Sequence, residues 1–415
     1  MLSPARKNGR QRDQVCVLDL GSHCLRAAIF DCGLNGQPPE VRGVARRVSQ
    51  GIGAGAVIDL PALTHEIREL LAQLELMSDT RVSRVVMVVT HPSLALDAAS
   101  GLASVSGALV QPRDCRRAED MARDRFSRRR QRLVHEAVQS YRLDGRSYRE
   151  RPHALKGQRL EVDVQHLSLC EATLDNLVRA VRSAKVQVEA VCSNVLATSA
   201  GALTHEEKTA GVALLELGGQ TTTAATYAKG ALIAARTERG GSNELTKALS
   251  QGLWVPQRNA EQVKQRYGQA CRDRVEAGQL VRVETIGLRE PRQLCPTLFA
   301  EAMEPAVCDL LQRLANLVSE TGLASQLSAG LVIAGNGARL QDLSELAERM
   351  LSVPVRVASP NKVLGLHELL DQPGDCSLVG AASLWSLDQL PSWEAPQRRA
   401  RARRNAQPRW LDLLA

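Results

Sequence analysis

Residues 15–30 read VCVLDLGSHCLRAAIF, and residues 212–227 repeat the same frame as VALLELGGQTTTAATY. In each copy an apolar run leads to an acid (Asp19 or Glu216), then Leu-Gly, a small polar turn and a second β-prone run. The copies are separated by nearly half of the 415-residue chain. A hairpin whose turn carries an acid, glycine and hydroxyl groups is suited to hold phosphates and their metal ion. The pair therefore predicts two similar halves that face each other across a nucleotide-binding cleft.

The length and composition of the chain predict a globular protein of two domains. A chain of 415 residues exceeds what one hydrophobic core usually holds, and its 44% hydrophobic and 24% charged content is ordinary for a soluble protein. The net charge of +8 includes Arg-rich stretches at 123–132 and 398–409. Neither stretch has the interleaved aromatics or the motif of a nucleic-acid-binding domain. We therefore expect a solvated charged face at 123–132 and no nucleic-acid partner.

The N-terminus and the cysteines favour a cytoplasmic location. Residues 1–14 are polar and basic, without the apolar core of a signal peptide, and no run approaches the ~20 apolar residues of a transmembrane helix. The ten cysteines form no CxxC pair and no cluster with histidines at metal-ligand spacing. We expect a cytoplasmic protein with reduced thiols.

Apolar periodicity along the chain predicts an α/β fold in which a small α+β unit interrupts the first half. Helical spacing marks 61–76, 171–184 and 296–322, and apolar runs at 83–90 and 330–335 predict buried strands. The predicted organisation is a flexible basic tail at 1–14, a first half at 15–95 plus 186–205, an inserted subdomain at 96–185, a second half at 206–389 with its own subdomain at 240–310, and a disordered basic linker with a short amphipathic tail at 390–415.

The two hairpin turns predict specific phosphate and metal contacts. Glycines let the backbone approach a phosphate closely, and Ser22 and Thr221 add hydroxyl donors. Asp19 and Glu216, at the strand ends, could hold Mg²⁺ through its water molecules. The alternative is a pair of ordinary hairpins with glycine turns, and the repetition at half-chain spacing favours the nucleotide site.

Two further motifs belong to the same prediction. The buried strand that ends in Gly335-Asn336-Gly337 before a helix has a common ligand-facing geometry, although many α/β strands end in this way. Glu261 and Lys264 are three residues apart on one helix, so they form either an exposed salt bridge or contacts to the ribose and base of a nucleotide.

The order of these motifs, together with RYGQA at 266–270 and GARLQDLSELAERMLSVPVRVASP at 337–360, resembles the actin, sugar-kinase and heat-shock-chaperone superfamily. Within it, residues 15 to 386 are similar to the FtsA family of bacterial division proteins. The resemblance implies an actin-like two-domain fold with two related halves around a nucleotide cleft, and an FtsA-type inserted α+β subdomain. It implies binding of ATP with Mg²⁺ at a site that comprises Asp19, Gly21, Ser22, His23, Glu216, Gly218, Gly219, Gln220, Thr221, Gly241, Glu261, Lys264, Gly335, Asn336 and Gly337.

The resemblance also implies a role and its partners. Proteins of this family tether FtsZ filaments to the inner face of the cytoplasmic membrane at the division site and recruit later division proteins. The subdomain at 240–310 would bind the C-terminal peptide of FtsZ, and the chain would associate with itself into filaments.

The second hairpin departs from the family pattern of acid-x-Gly-Gly-Gly-Thr-x-Asp. Gln220 replaces the third glycine and Thr223 replaces the aspartate, while in the first hairpin Cys24 stands where lysine is common and Arg26 could compensate. These departures predict at most a weak ATPase, and no catalytic residue is assigned.

The C-terminus predicts attachment to an anionic membrane surface. An apolar face would lie beside arginines, and such a pairing raises the affinity of a short segment for anionic lipid. The predicted membrane-binding residues are Arg403, Arg404, Arg409, Trp410, Leu411, Leu413 and Leu414. The alternative is a frayed basic tail.

Two other functions share the predicted fold. A PilM-type pilus-assembly protein has the same architecture, and the basic tail ending in WLDLL favours the FtsA family over it. A sugar or acid kinase needs a catalytic aspartate near the second phosphate motif, where this chain has Thr223.

Overall fold

The computed structural model describes residues 13–33, 37–126, 129–275, 278, 280–287, 290–320, 322, 327–361 and 363–393. The predicted tail at 1–14 therefore lies almost entirely outside the described residues. Described elements comprise strands β1 to β19 and helices α1 to α10, and the two hairpins of the sequence repeat lie in two separate mixed sheets.

The first sheet has the strand order β11-β6-β1-β2-β3-β19. Strands β1, β2 and β3 are antiparallel neighbours, whereas β6 and β11 run parallel to β1. Its strands are β1 (Asp13–Leu20), β2 (Cys24–Cys32), β3 (Glu40–Val48), β6 (Arg84–Val89), β11 (Gln187–Ser193) and β19 (Leu364–Gly365).

The second sheet repeats this topology in the order β14-β13-β12-β17-β18. Again three antiparallel strands are followed by two parallel ones. The shared order confirms the predicted pair of related halves. The strands are β12 (Val212–Leu217), β13 (Thr221–Ala228), β14 (Ala231–Arg239), β17 (Leu331–Ala334) and β18 (Val355–Val357).

Helices α1 (Leu60–Ser78) and α3 (Glu171–Ser183) pack together against the first sheet. The carboxylate of Asp59 caps α1 by accepting a hydrogen bond from the Ala62 amide at 2.9 Å, and the buried side of α1 carries leucine and isoleucine at helical spacing. The sequence prediction placed α3 in the inserted unit at 96–185, but its apolar face is buried on the first half. The prediction of that boundary was therefore wrong.

The inserted unit is a sheet of order β7-β10-β8-β9 with one helix. It has its own core, in which Cys115 and Ala118 of the helix meet Leu160 and Val162 of the central strand. This confirms the predicted α+β insertion. Its elements are β7 (Ala95–Ser104), α2 (Pro112–Asp124), β8 (Gln131–Leu143), β9 (Arg146–Tyr148) and β10 (Arg159–Cys170).

Helices α4 (Asn194–Ala202) and α10 (Cys376–Ser386) cross between the two sheets. Their contact depends on small residues, because a Cβ at Gly201 would lie 1.9 Å from the Cys376 carbonyl oxygen. Apolar residues of this helix pair are buried against both sheets, so it joins the two halves at the base of the space between them.

The second half contains the remaining helices around its own apolar core, which includes Phe299 and Met303. The small strands β4 (Ile52–Gly53) and β5 (Ala56–Val57) belong to the first half. The other elements are α5 (His205–Ala210), α6 (Ser242–Leu253), α7 (Gln257–Tyr267), β15 (Val281–Val283), β16 (Arg292–Leu294), α8 (Pro296–Ser319) and α9 (Leu343–Leu351).

The last described segment returns to the first half, which differs from the predicted range of 206–389 for the second half. Strand β19 pairs with β3, and α10 packs on the first sheet. Packing also continues past the predicted linker start at 390, because the Trp393 amide donates to the Glu189 carbonyl at 2.9 Å and the Arg132 guanidinium lies over the indole at 4.4 Å.

Candidate nucleotide-binding cleft

The turns of the two repeated hairpins approach each other between the halves. A Cβ at Gly21 would lie 2.5 Å from the Cys24 carbonyl oxygen, and one at Gly218 would lie 2.8 Å from that of Thr221. Both turns therefore need glycine at this position to close. A Cβ at Gly219 would lie 2.8 Å from the Cβ of His23, so the two turns are in direct contact.

A cavity of about 430 Å³ lies between the two turns. This volume is within the usual range of small-molecule sites. Its walls bring together residues from both halves that are far apart in sequence. The predicted site residues that line it are Asp19, Gly21, Ser22, His23, Glu216, Gly218, Gly219, Thr221, Glu261, Lys264, Gly335, Asn336 and Gly337.

Two predicted site residues, Gln220 and Gly241, are not part of the cavity lining. Gly241 supports the wall from behind, since a Cβ there would lie 2.5 Å from the Gly218 carbonyl oxygen. The neighbouring amide of Ser242 donates to that same oxygen at 2.9 Å. Gly241 therefore acts through close backbone packing instead of facing the cavity.

Gln220 reaches across to the first half. Its side-chain oxygen accepts a hydrogen bond from the Ala54 amide at 2.9 Å, while the Ser22 hydroxyl accepts one from the Gly55 amide at 3.0 Å. Both hairpin turns thus hold the same turn between β4 and β5. The bulky side chain of Gln220, which replaces a glycine of the family pattern, therefore contacts the first half and is not part of the cavity lining.

Asp19 is buried at the floor of the cleft and paired with a cation. Its carboxylate accepts a hydrogen bond from Nη2 of Arg26 at 2.5 Å and from the hydroxyl of Ser377 at 2.6 Å. Arg26 stands directly opposite Asp19 in the β1–β2 register and also lines the cavity. Arg26 does point inward, and it compensates the charge of Asp19.

A second carboxylate extends this charge network. Asp375 lies 3.8 Å from Nη1 of Arg26 and accepts a hydrogen bond from Arg46 at 2.8 Å. Burial acts to lower the pKa of Arg26, but the carboxylates of Asp19 and Asp375 raise it above its usual value. The guanidinium is therefore permanently charged.

Glu216, the counterpart of Asp19, has neutral partners. The Asn194 amide donates to its carboxylate at 2.8 Å, and the Thr198 hydroxyl donates at 2.6 Å. Burial raises the pKa of Glu216 to about 7. Opposite it in the β12–β13 register, the Thr223 hydroxyl shares a hydrogen bond with that of Thr237 at 2.9 Å.

The pair on α7 forms the expected salt bridge and also faces the cavity. Nζ of Lys264 lies 2.8 Å from the Glu261 carboxylate and donates to the Thr246 hydroxyl at 2.7 Å. Burial acts to raise the pKa of Glu261, but the charge of Lys264 and the hydrogen bond from Thr246 lower it below its usual value. His23 of the first half approaches Glu261 to 3.9 Å. The salt bridge is therefore largely buried and not exposed, since the Lys264 and Glu261 side chains are 10% and 21% exposed, and its place on the cavity wall is compatible with contacts to a nucleotide.

The strand-end glycines pack against the second hairpin. Gly335 has a φ of 81°, and a Cβ there would lie 2.5 Å from the Leu217 carbonyl oxygen. A Cβ at Gly337 would lie 2.4 Å from Cγ of the Leu217 side chain. Glycine at both positions brings this loop to the edge of the cavity.

The carboxylates that would hold Mg²⁺ do not fit that ion. Mg²⁺ prefers charged oxygen ligands and retains several waters. Asp19 is neutralised by Arg26, and Glu216 is held by an amide and a hydroxyl. In the part of the chain that the structure describes, no group of three or more His, Cys, Asp or Glu side chains is arranged as a metal site.

Several residues of the cleft were not in the predicted site. Arg26 could have been placed there, because a three-residue turn after Leu20 sets it opposite Asp19. Asn194 also lines the cavity, whereas Thr198 and Ser377 contact its carboxylates without lining it. All three come from the crossing helices, and no local motif marks them. The other cavity residues outside the prediction include Thr90, Ser242, Gln265, Arg266, Arg339 and Leu340.

The predicted membrane-binding tail lies outside the described residues. This applies to Arg403, Arg404, Arg409, Trp410, Leu411, Leu413 and Leu414. Within the described ranges, no helix combines the length and the hydropathy needed to cross a bilayer.

Two family models match the chain. The model described as cell division protein FtsA matches residues 213–380, which contain nearly all of the second sheet and the first turn of the crossing helix α10. The model of the SHS2 domain inserted in FtsA matches residues 93–168, which contain the inserted sheet. Together the two matches cover more than half of the chain, and they fall mainly in the second half and the inserted unit.

Curated relatives named cell division protein FtsA are similar over most of the chain. The protein from Escherichia coli is 27% identical over 377 residues, covering 89% of each chain. The protein from Pseudomonas aeruginosa is 26% identical and covers 86% of this chain and 85% of its own. The protein from Bacillus subtilis is 28% identical, with 83% and 78% covered.

Solved structures show the same fold at low identity. A PilM-PilN type IV pilus biogenesis complex contains a chain with a TM-score of 0.64 and 18% identity, covering 91% of this chain and 99% of that one. ADP-bound MreB5 of Spiroplasma citri has a TM-score of 0.57 and 13% identity, covering 91% of this chain and 97% of that one. With an actin-like frame, an inserted subdomain of the FtsA type and FtsA relatives along most of its length, the chain belongs to the FtsA family.

Proposed function

We propose that the chain is an actin-like cell-division adaptor that tethers FtsZ filaments to the inner face of the cytoplasmic membrane. At the division site it would also recruit later division proteins and associate with itself into filaments. The observation that carries this proposal is the inserted unit of β7 to β10 in the first half. It lies in the range matched by the inserted domain of FtsA, within the actin-like frame of the cleft.

We propose that the cleft binds ATP or ADP and hydrolyses ATP weakly or not at all. The glycine turns and the cavity between them support binding. At the position where the family pattern has an aspartate, Thr223 is buried and bonded to Thr237 and Asn194. A threonine held in this way offers no carboxylate to orient an attacking water, which supports slow hydrolysis.

The subdomain at 240–310 is the proposed site for the C-terminal peptide of FtsZ. It exposes an apolar pair, since Trp254 is 65% and Ile286 is 53% exposed. The two are adjacent, because the Ile286 amide donates to the Trp254 carbonyl at 3.1 Å. An exposed tryptophan beside another apolar residue is a typical anchor for a peptide.

The test is binding of the host FtsZ C-terminal peptide to the full chain, measured by fluorescence anisotropy. We expect saturable binding that Trp254→Ala weakens by about tenfold or more. Leu76→Ala is the matched control, because Leu76 is also exposed but lies on α1 in the first half. Absence of binding to the unmodified chain would contradict the adaptor function.

Two other functions have less support. The pilus-biogenesis structure shares the fold, and at 18% identity the likeness extends to the fold alone. A sugar or acid kinase would need a carboxylate base near the second turn, where Thr223 stands.

Filament tethering would use the C-terminal tail on an anionic membrane, and many tails in one filament would bind more tightly than one.

A further inference from the structure

The floor of the cleft contains a cation supplied by the chain itself. The Asp19 and Arg26 side chains are 6% and 9% exposed, and their charged groups are 2.5 Å apart. Register fixes this pair, because the two residues face each other across β1 and β2. A permanently charged guanidinium therefore lies beside the carboxylate that would otherwise attract a divalent ion.

Arg26 retains unused hydrogen-bonding capacity. Its Nη2 is bonded to Asp19, whereas its Nη1 is buried and has no hydrogen-bond partner within the described part of the structure. The nearest acid to Nη1 is Asp375 at 3.8 Å, and Arg46 holds that carboxylate. Since Arg26 also lines the cavity, its positive charge lies at the floor that an entering anion would approach.

The remaining lining is also suited to an anion. Four cationic side chains face the cavity, namely Arg26, Lys264, Arg266 and Arg339. The acids of the lining are Asp19, Glu216 and Glu261, and each has a partner in the protein. Because Arg26 and Lys264 are paired with Asp19 and Glu261, the remaining positive charge of the lining that a polyphosphate would meet comes from Arg266 and Arg339.

We propose that the cleft binds nucleoside di- and triphosphates without a divalent metal ion, with the guanidinium of Arg26 as the resident cation. The proposal rests on the proposed binding of nucleotide in this cleft. Arg26 cancels the charge of Asp19, so phosphate oxygens approach the floor without repulsion. The backbone of the Gly21 and Gly218 turns is the part of the protein that the phosphates would approach most closely.

The test is calorimetric titration of the full chain with ADP, once with excess Mg²⁺ and once with excess EDTA. We expect dissociation constants that agree within about threefold. Binding that weakens more than about tenfold in EDTA would overturn the metal-free inference and leave nucleotide binding in place. Absence of binding in both solutions would overturn both.

Variants test the role of Arg26 directly. In EDTA, Arg26→Met is expected to weaken ADP binding by about tenfold or more, with partial recovery on adding Mg²⁺ because Asp19 is then unpaired. Arg266→Met also removes a cavity cation, and it should weaken binding equally with and without Mg²⁺. Circular dichroism verifies that each variant is folded, and Arg26→Lys, which keeps the charge, should still bind in EDTA. Unchanged affinity of folded Arg26→Met in EDTA, or loss of EDTA binding in folded Arg26→Lys, would overturn the proposal.

Discussion

The first and second hairpins have the same frame but differ in how their buried acid is paired. Asp19 faces Arg26 across β1 and β2, and at the corresponding positions Glu216 faces Thr223 across β12 and β13. The first pair is a buried ion pair, whereas the second is an acid with a raised pKa beside a hydroxyl. The two hairpins share the strand order and the turn glycines, whereas the residues that carry charge differ.

This difference distinguishes the residues that fix the backbone of the hairpins from the residues that determine the charge of the cleft. The backbone of both turns is constrained, because each has a glycine whose Cβ would collide with the next strand. The cross-strand positions are free to change, provided that buried charges keep a partner. The same frame can therefore support a metal-dependent enzyme or a scaffold that retains only the cleft.

The largest expected effect comes from breaking the ion pair of the first hairpin. Arg26→Met would leave the buried Asp19 carboxylate without its cation, so we expect the free energy of unfolding to fall by about 3–5 kcal/mol. Urea unfolding followed by circular dichroism measures the change. The double variant Asp19→Asn/Arg26→Met removes both charges and should regain much of the loss.

The control for this effect is an ion pair on the surface. Arg236 is paired with Glu238 and Glu320, and the Arg236 side chain is 57% exposed. Arg236→Met should therefore cost less than about 1 kcal/mol. Equal losses for Arg26→Met and Arg236→Met would show that the pair under the cleft has no special role.

The second hairpin should produce a pH dependence that Glu216→Gln removes. The pKa of Glu216 is raised from 4.5 to about 7 in the folded chain, so the folded state binds more protons between these values. This contribution to the stability is complete below pH 4.5 and is lost as the pH rises through 7, by at most about 3 kcal/mol.

The measurement is the urea midpoint of both proteins from pH 4.5 to 8. Relative to Glu216→Gln, the unmodified chain should lose stability as the pH rises. Glu320→Gln, a surface substitution near the second sheet, should preserve the slope of the unmodified chain. Identical slopes for the unmodified chain and Glu216→Gln would contradict the difference drawn between the hairpins.

The smallest effects concern the contacts that both turns make with the turn between β4 and β5. Ser22→Ala and Gln220→Ala each remove one hydrogen bond to a backbone amide, so each should cost about 1 kcal/mol in the free energy of unfolding. Thermal or urea unfolding of the two variants and their combination measures this. If only one of the two variants lost stability, the conclusion that both hairpin turns stabilise the turn between β4 and β5 would be contradicted.

The fold could be predicted because the hairpin motif can be recognised from a short stretch of sequence, and its two copies imply two related halves. Apolar spacing predicts α1, α3, α8 and β6 to within a few residues, since buried faces impose their period on the sequence. The inserted unit could be predicted as a separate unit because its composition, which includes the Arg-rich stretch at 123–132, differs from that of the flanking segments.

The boundaries between units were less predictable, because an amphipathic helix does not encode which sheet it covers. Helix α3 has a clear apolar face, and only its packing on α1 assigns it to the first half. Helix α10 illustrates the same limit on a larger scale, since it follows the second half in sequence and packs on the first sheet. The burial of Trp393 also depends on a distant arginine.

Within the site, residues at the turns were predictable and their partners were not. Thirteen of the fifteen predicted nucleotide-site residues line the cavity, because most of them belong to short glycine-containing motifs that can be recognised in the sequence. Ser377 reaches Asp19 from a helix more than 350 positions away in the chain. Gln220 could be placed at the turn, but its contact with Ala54 depends on how the halves meet.

The proposed role as a scaffold between FtsZ and the membrane can be tested in one reconstitution. FtsZ is mixed with anionic vesicles and either the full chain or a chain that ends at Trp393, the last described residue, and the vesicles are floated. We predict that FtsZ floats with the full chain, remains at the bottom with the shortened one, and remains at the bottom if its own C-terminal peptide is deleted. FtsZ that stays at the bottom while the full chain floats would contradict the proposed function.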